Sequence, residues 1–227
     1  RLDVMRREFV ADASHELRTP VANLAVAVEA LRGSLPTSDP GAAPLLDAIE
    51  REVERLRKLV EDLLDLSAIE SGRVQLHLVP TDLGELTNVV VESFRARAAQ
   101  RGVALERLGP TRVITVQVDP DRMSQVLSNL LDNALKFTPG GGRISVSVAE
   151  HRGDVTVAVD DTGPGIPPDD LPHIFDRFFK ADRSRSVRRG AGLGLAIAKR
   201  LTAAQGGEIR AENRAEGGAR FVVTLPS

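Results

Sequence analysis

One histidine stands among residues that suit phosphoryl chemistry. His15 is followed directly by Glu16, and Thr19 lies one helical turn further on. A neutral imidazole is a nucleophile near pH 7, and a carboxylate bonded to one ring nitrogen makes the other nitrogen more nucleophilic. The Thr19 hydroxyl can position a water on the same helix face. These residues form a candidate phosphoryl-accepting group; the alternative is an exposed helical histidine without a chemical role.

A second polar group falls on one face of a predicted helix. Asn129, Asn133 and Lys136 are separated by four and three residues, so their side chains are neighbours. The amide oxygen of Asn133 suits Mg²⁺, which prefers oxygen ligands and keeps waters beside substrate phosphates. Lys136 supplies a point charge for phosphate oxygens. The alternative is a polar helix face without a ligand.

Two strings rich in glycine can bring the backbone close to a ligand. The first, Asp-Asp-Thr-Gly-Pro-Gly-Ile, contains Asp161, Gly163 and Gly165 and on its own indicates a turn. The second, Gly-Ala-Gly-Leu-Gly-Leu, places Gly192 and Gly194 at the start of a predicted helix, where backbone amides favour phosphate. It is not a dinucleotide fingerprint, because no strand precedes it, and no Gly-Lys-Ser/Thr follows to make it a P-loop.

Phenylalanines and cations lie between these two strings. Three of the seven phenylalanines stand close together, and we expect two of them, Phe175 and Phe178, to pack the base of a lid over a ligand. Lys180 and Arg185 belong to the basic run that follows, in which Asp182 is the only acidic residue. This run is either a solvated loop or a mobile clamp for a polyanion such as a nucleotide triphosphate.

The first 72 residues indicate two amphipathic helices that present His15. A turn-rich segment with three prolines, residues 34–44, joins them into an antiparallel hairpin. Both helices carry the four-and-three spacing of a heptad seam, at Leu17, Val21, Leu24, Val28 and Leu31 and then at Ile49, Val53, Leu56, Val60 and Leu63. A lone hairpin cannot enclose this stripe, so we expect two hairpins to pair as a four-helix bundle.

After a linker at residues 73–78, a second domain is predicted over residues 79–227. Its predicted helices are 81–100, 120–137 after an Asp119-Pro120 cap, and 192–205; its predicted strands are 112–118, 143–151, 155–160, 208–211 and 219–225. This mixture of helices and hairpins predicts an α+β domain with helices on one face of a sheet.

The composition excludes several classes of function. The 227 residues carry a net charge of −2, so bulk electrostatics does not call for a nucleic-acid partner. Cysteine is absent, which excludes disulfides and thiol nucleophiles. No apolar run approaches the ~18 residues of a membrane span. The chain begins with Arg inside a predicted helix, and we expect it to be part of a longer protein.

The motifs together resemble those of the sensor histidine kinases of bacterial two-component systems. The string Ser-His-Glu-Leu-Arg-Thr-Pro at His15 resembles the H-box of that family. The polar helix face resembles its N-box, the Asp-Asp-Thr-Gly-Pro-Gly-Ile string its G1 box, the phenylalanines its F-box and the second glycine string its G2 box. The resemblance includes their order and spans nearly the whole chain.

The resemblance implies a fold, an activity and partners. The fold would be a dimeric phosphoacceptor hairpin followed by an α/β sandwich of the Bergerat type. The activity would be ATP-dependent phosphorylation of His15 and transfer to an aspartate of a response regulator, with Thr19 supporting a phosphatase activity toward that regulator. The parent protein would be anchored in the inner membrane, with this portion in the cytoplasm.

The resemblance also implies a set of nucleotide-binding residues, with Asn133 as the Mg²⁺ ligand and Asp161 accepting from the adenine amino group. The set comprises Asn129, Asn133, Lys136, Asp161, Gly163, Gly165, Ile166, Phe175, Phe178, Lys180, Arg185, Gly190, Gly192, Leu193, Gly194 and Leu195.

Asn129 departs from the related gyrase- and chaperone-type ATPases, which have a glutamate base at that position. An amide cannot take a proton from water, so this residue favours ATP held for transfer over ATP hydrolysis. Phe179 and Ala191 also depart, since Tyr and Thr or Ser are common in the family there. A plain ATPase and a catalytically silent dimeric scaffold are the two competing hypotheses.

Overall fold

The computed structural model describes residues 21–22, 25–26, 28–29, 42–109, 112–151, 153–179 and 192–226. The chain divides into two compact units, Arg1–Val74 and Gln75–Ser227, and the boundary falls inside the predicted linker. In these described residues, no helix has the length and apolarity needed to span a membrane.

The first unit contains one long described helix, α1 (Ala42–Glu70). It begins within the segment predicted as a loop, because Pro44 lies in the first helical turn, where a missing N–H leaves no helix bond unmade. Its end agrees with the prediction. Gly72 has a φ of 67°, and the Arg73 amide donates to the Ala68 carbonyl over 3.0 Å.

The predicted seam of α1 has a buried half and an exposed half. Val53 packs with Leu46 and with Val21 and Val28 of the preceding helical segment. Other seam positions are open. Ile49 and Leu56 are each 38% exposed. A single chain therefore leaves part of its apolar stripe uncovered, as the sequence predicts, and the pairing of two hairpins stays a prediction.

The second unit is a two-layer α/β domain. Its elements are β1 (Val79–Asp82), α2 (Leu83–Gln100), β2 (Ala104–Leu108), β3 (Thr115–Val118), α3 (Pro120–Phe137), β4 (Arg143–His151), β5 (Asp154–Asp161), α4 (Gly194–Ala204), β6 (Glu208–Asn213) and β7 (Ala219–Pro226). The main sheet has the order β2-β4-β5-β7-β6, with β2 parallel to β4 and the other pairs antiparallel; β1 and β3 form a separate antiparallel pair.

Alternating residues of the central strands face the helices. The buried positions of the central strands are Ile144, Val146, Val148, Val155, Val157, Val159, Phe221, Val223 and Leu225. Helices α2 and α3 contact β4 and β5, and α3 packs against α4. The predicted order, a helical unit followed by an α/β layer with helices on one face, is confirmed.

Two strands and several boundaries differ from the prediction. β1 and β2 were not predicted, since each is short and buries few side chains. Helix α2 begins at Leu83 rather than at Thr81, because the Asp82 carboxylate caps it by accepting from the Gly84 amide over 2.8 Å. The strand predicted from residue 112 begins at Thr115, and α4 begins at Gly194 instead of 192.

Candidate functional site

The N-terminus of α3 is held by its predicted cap. Oδ1 of Asp119 accepts from the Arg122 amide over 3.0 Å, and Oδ2 accepts from the His77 amide over 2.9 Å. Burial opposes ionisation of this carboxyl, but these bonds outweigh it and lower its pKa. The Asp119 amide in turn donates to Oε1 of Gln205, at the end of α4, over 2.9 Å. The two helices that carry the N-box and G2 residues are thus joined by one hydrogen bond at this end.

Asn129 lies where α3 meets the start of α4. A Cβ added to Gly194 would be 3.3 Å from Oδ1 of Asn129, so this glycine permits the close approach. Nδ2 of Asn129 is buried and has no hydrogen-bond partner among the described residues. An unsatisfied buried donor costs about 1–3 kcal/mol. This amide therefore marks the N-box and G2 segments as one site with an unused donor.

Asn133 and Lys136 follow Asn129 toward the end of α3, where both are partly exposed. No described residue bonds the Asn133 amide. The ammonium of Lys136 lies 4.6 Å from the centre of the Phe137 ring, a cation–π distance. Because Phe137 is the last residue of α3, the Lys136 ammonium lies near the C-terminal end of this helix.

Asp161 ends β5 and is only 4% exposed. Its Oδ1 accepts from the Gly163 amide over 2.7 Å and from the Ala219 amide over 3.3 Å, whereas no described residue donates to Oδ2. Burial raises the pKa of this carboxyl despite those bonds. The geometry therefore fixes the carboxylate through one of its two oxygens.

The G1 string lies against the end of α3. A Cβ added to Gly163 would be 2.9 Å from Oδ1 of Asp161 and 3.0 Å from the carbonyl oxygen of Phe137. A side chain at this position would crowd both groups, so glycine is favoured here. The structure therefore brings the G1 string next to the N-box helix.

Asn213 is a residue of this region that the sequence did not single out. Its Oδ1 accepts from the Ile166 amide and its Nδ2 donates to the Ile166 carbonyl, both over 2.7 Å. A nearby glycine is equally constrained, since a Cβ added to Gly218 would overlap the Asp161 carbonyl oxygen at 1.9 Å. The Gly217-Gly218 pair just before β7 was the available signal.

The F-box residues differ from one another in packing. Phe175 meets the Phe221 ring edge-on, with centroids 6.4 Å apart. Phe178 was expected to pack in the same way, but it is 56% exposed and has a φ of 60°. Its amide donates to the Gly192 carbonyl over 3.0 Å, and this turn directs the side chain outward. Position 192 favours glycine for two reasons: its φ is 76°, and a Cβ would be 2.7 Å from the Phe179 carbonyl oxygen.

The N-terminus of α4 presents backbone donors rather than a side-chain cap. Leu193 precedes the helix, makes no capping bond and is buried, so its side chain anchors the helix in the core. The backbone amides of the first helical residues, Gly194, Leu195 and Ala196, have no carbonyl acceptor within the helix. Together with the helix dipole, they favour an anion. Leu195 is partly exposed.

Six predicted site residues lie outside the described residues: His15, Glu16, Thr19, Lys180, Arg185 and Gly190. A groove of about 430 Å³ does appear elsewhere in the second unit, beside Pro80, Glu85 and Val89. None of the predicted nucleotide-binding residues lines it, and the contacts above, not this groove, define the candidate site.

The comparisons with known proteins cover both units. Residues 118–227 match the sequence model described as "Histidine kinase-, DNA gyrase B-, and HSP90-like ATPase", and residues 5–72 match "His Kinase A (phospho-acceptor) domain". These two matches identify an ATPase-type domain preceded by a phospho-acceptor domain. The chain belongs to the sensor histidine kinases.

Individual relatives agree with this membership. Histidine-protein kinase AfsQ2 of Streptomyces coelicolor is 40% identical over 97% of this chain, which spans only 42% of that protein's length. Full-length ShkA in complex with AMPPNP superposes with a TM-score of 0.83 and 32% identity, over 96% of this chain and 45% of ShkA. Histidine kinase ThkA, solved in complex with the response regulator TrrA, gives 0.69 and 28%, over 96% and 61% of the two chains.

Proposed function

We propose that this chain is the kinase portion of a two-component sensor, which uses ATP to phosphorylate its own His15. The observation that carries the proposal is that helix α3 approaches Gly194 at Asn129 and the Asp161 loop at Phe137, in a chain that also matches the phospho-acceptor domain. Residues 1–72 would be the phospho-acceptor hairpin, 73–78 the linker and 79–227 the catalytic domain.

The nucleotide would lie between the G1 loop and the start of α4. Oδ2 of Asp161 would accept from the adenine amino group, and Gly163 and Gly165 would let the backbone approach the base. The amides from Gly192 onward would face the phosphates, with Lys180, Arg185 and Gly190 closing over them. The AMPPNP complex of ShkA, a relative with the same fold, supports ATP as the ligand.

Magnesium fits the residues present. In the described part of the chain, no cluster of three or more His, Cys, Asp or Glu could hold a metal alone. The Asn133 amide is partly exposed and unbonded by described residues, so its oxygen can complete a shell made mainly of phosphate oxygens and waters. Bound Mg²⁺ would supply charge compensation on the phosphates, alongside Lys136.

The transfer step would follow from the H-box residues. A neutral nitrogen of His15 forms the new P–N bond to the γ-phosphorus as the bond to the bridging oxygen breaks, and ADP leaves. The proton is lost from the other ring nitrogen toward Glu16. Because Asn129 is an amide, it cannot activate water as a competing nucleophile. Positioning and electrostatics supply most of the acceleration.

The partners would be a second copy and a response regulator. Exposed Ile49 and Leu56 support pairing of two hairpins. The complex of ThkA with its regulator TrrA supports transfer to a receiver aspartate. Thr19 would position a water that hydrolyses the aspartyl phosphate of the regulator. We further propose that the full-length protein is anchored in the inner membrane by segments outside this chain, with this portion in the cytoplasm.

Incubation with γ-labelled ATP and Mg²⁺ tests the proposed function. We expect label that is lost in acid and kept in base, as for phosphohistidine. His15→Gln should abolish the label while ATP affinity measured by titration stays within about twofold of wild type, since the nucleotide site lies in the other unit. Acid-labile label on the variant would refute the assignment of His15, and steady phosphate release without labelled protein would favour a plain ATPase.

A further inference from the structure

The turn between β6 and β7 is hydrogen-bonded to the G1 loop. This β6–β7 turn, residues 213–220, runs from the last residue of β6 into β7, where Asn213 pairs with Ala219. It contacts both ends of the loop formed by residues 160–166. The support is therefore local to the proposed adenine-binding loop.

The Asp161 end of the loop is held by several groups of the turn. The Arg220 guanidinium bonds both oxygens of Asp160, over 2.6 and 3.0 Å. Nη1 of Arg214 donates to the Asp161 carbonyl over 3.1 Å, and the Ala219 amide donates to the Asp161 carboxylate. This end is held redundantly.

Among the residues that the structure describes, one side chain bonds the Ile166 end of the loop. The Asn213 amide group both accepts from and donates to the backbone of Ile166, and each bond is 2.7 Å long. Oδ1 of Asn213 would lie 2.8 Å from a Cβ on Gly165, whose φ of 76° also requires glycine. A primary amide is the group that can satisfy one N–H and one C=O at once.

We propose that Asn213 is a positioning residue for nucleotide binding, which holds Gly165 and Ile166 in the conformation that receives the adenine ring. It does so without contacting the nucleotide, and it acts on affinity rather than on the transfer step. This inference rests on the proposed function, because it assigns the loop of Asp161 to the adenine ring.

Substitutions at position 213 separate this role from general packing. Asn213→Ala removes both bonds to Ile166. Asn213→Asp keeps the size and the acceptor but sets a carboxylate oxygen against the Ile166 carbonyl, so the second bond is lost and repulsion is added. The matched control is Arg210→Ala on the same strand, since Arg210 is exposed and pairs only with Glu208 among the described residues.

The experiment measures ATP affinity by titration and the KM and kcat of autophosphorylation for these variants of the whole chain. We expect Asn213→Ala to weaken ATP binding and raise KM about tenfold, as two hydrogen bonds of ordinary strength imply, with kcat at saturating ATP within twofold. Asn213→Asp should weaken binding at least as much, and Arg210→Ala should leave it unchanged. If Asn213→Ala does not fold, the isosteric Asp variant decides.

Three results would overturn the inference while leaving the proposed function intact. They are wild-type ATP affinity in either folded variant, a fall in kcat without a rise in KM, and an equal loss of affinity in the Arg210 control. Failure of the wild-type chain to bind ATP would instead overturn both. Hydrogen exchange of the Ile166 amide gives an independent check: it should be faster in Asn213→Ala than in wild type without nucleotide, and equal rates would count against the proposal.

Discussion

Asp161 combines a structural role with the binding role proposed above. Oδ1 serves the fold, because it accepts from Gly163 and Ala219, and Oδ2 has no described partner. Asp161→Asn can keep the Oδ1 bonds while it replaces the free acceptor with a donor. We expect this variant to lose at least tenfold in ATP affinity, about 1.4 kcal/mol. Titration with ATP measures the loss, and unchanged affinity would show that Asp161 does not accept from the base.

Asp161→Asn should weaken ATP binding, but it should not destabilise the nucleotide-free protein at pH 7. Because burial raises the pKa of Asp161, the stability associated with its protonated form is present below about pH 4 and is lost as pH rises through the folded-state pKa. Above the folded-state pKa, wild type carries a buried charge that Asp161→Asn lacks. The nucleotide-free variant should melt at the same or a higher temperature at pH 7, with the difference shrinking toward pH 4; a lower melting temperature at pH 7 would contradict this.

Single site residues can be identified from the sequence when their hydrogen-bond partners are close in the chain or when they belong to a distinctive motif. Asp161 and Gly163 are recognisable because the carboxylate caps its own turn two residues later. Asn213 is not recognisable, because its side chain bonds the backbone of a residue 47 positions away. In the sequence alone, an asparagine at this position suggests only a turn. The exposure of Phe178 was also missed, because a positive φ in a non-glycine residue leaves no mark in the sequence.

Among the elements, helix α3 has an N-terminal cap, Asp119, that also bonds a residue of the predicted linker. Asp119 accepts from Arg122 within the helix and from the His77 amide just before β1. We expect Asp119→Ala to cost about 2 kcal/mol at pH 7, from the lost cap and the unpaired His77 amide. Asp119→Asn keeps the cap and loses one bond, so it should cost about half as much. Urea unfolding at pH 7 measures both.

The pH dependence of the Asp119 variants follows from the lowered pKa of this carboxyl. A depressed folded-state pKa adds stability that is present above about pH 4 and is lost as pH falls through the folded-state value. The stability gap between wild type and Asp119→Ala should therefore narrow below about pH 4. A gap that is constant with pH would mean that the charge of Asp119 does not contribute.

The helices were easier to predict than the strands. α3 runs from Pro120 to Phe137 as predicted, because its cap, its proline and its periodicity agree. β2 was missed because it is an edge strand that buries Leu105 and carries Glu106 and Arg107, so its alternation is weak without knowledge of its partner β4.

For the molecule as a whole, the division into two units would separate the proposed dimerisation from the proposed nucleotide binding. The seam positions Ile49 and Leu56 belong to the first unit, and the proposed ATP site belongs to the second. An apolar stripe left open along a 29-residue helix favours a second copy as its cover. A double substitution, Ile49→Glu with Leu56→Glu, places charge on that stripe without entering the buried half at Val53.

We expect this double variant to be monomeric at concentrations where wild type sediments as a dimer, and to bind ATP with an affinity within about twofold of wild type. Val113→Glu is the control, because Val113 is an apolar side chain of the second unit that is 67% exposed. That control should remain dimeric, since an apolar-to-acid change outside the stripe leaves the hairpins free to pair. Analytical ultracentrifugation gives the assembly state, and a double variant that stays dimeric would place the interface on a surface other than this seam.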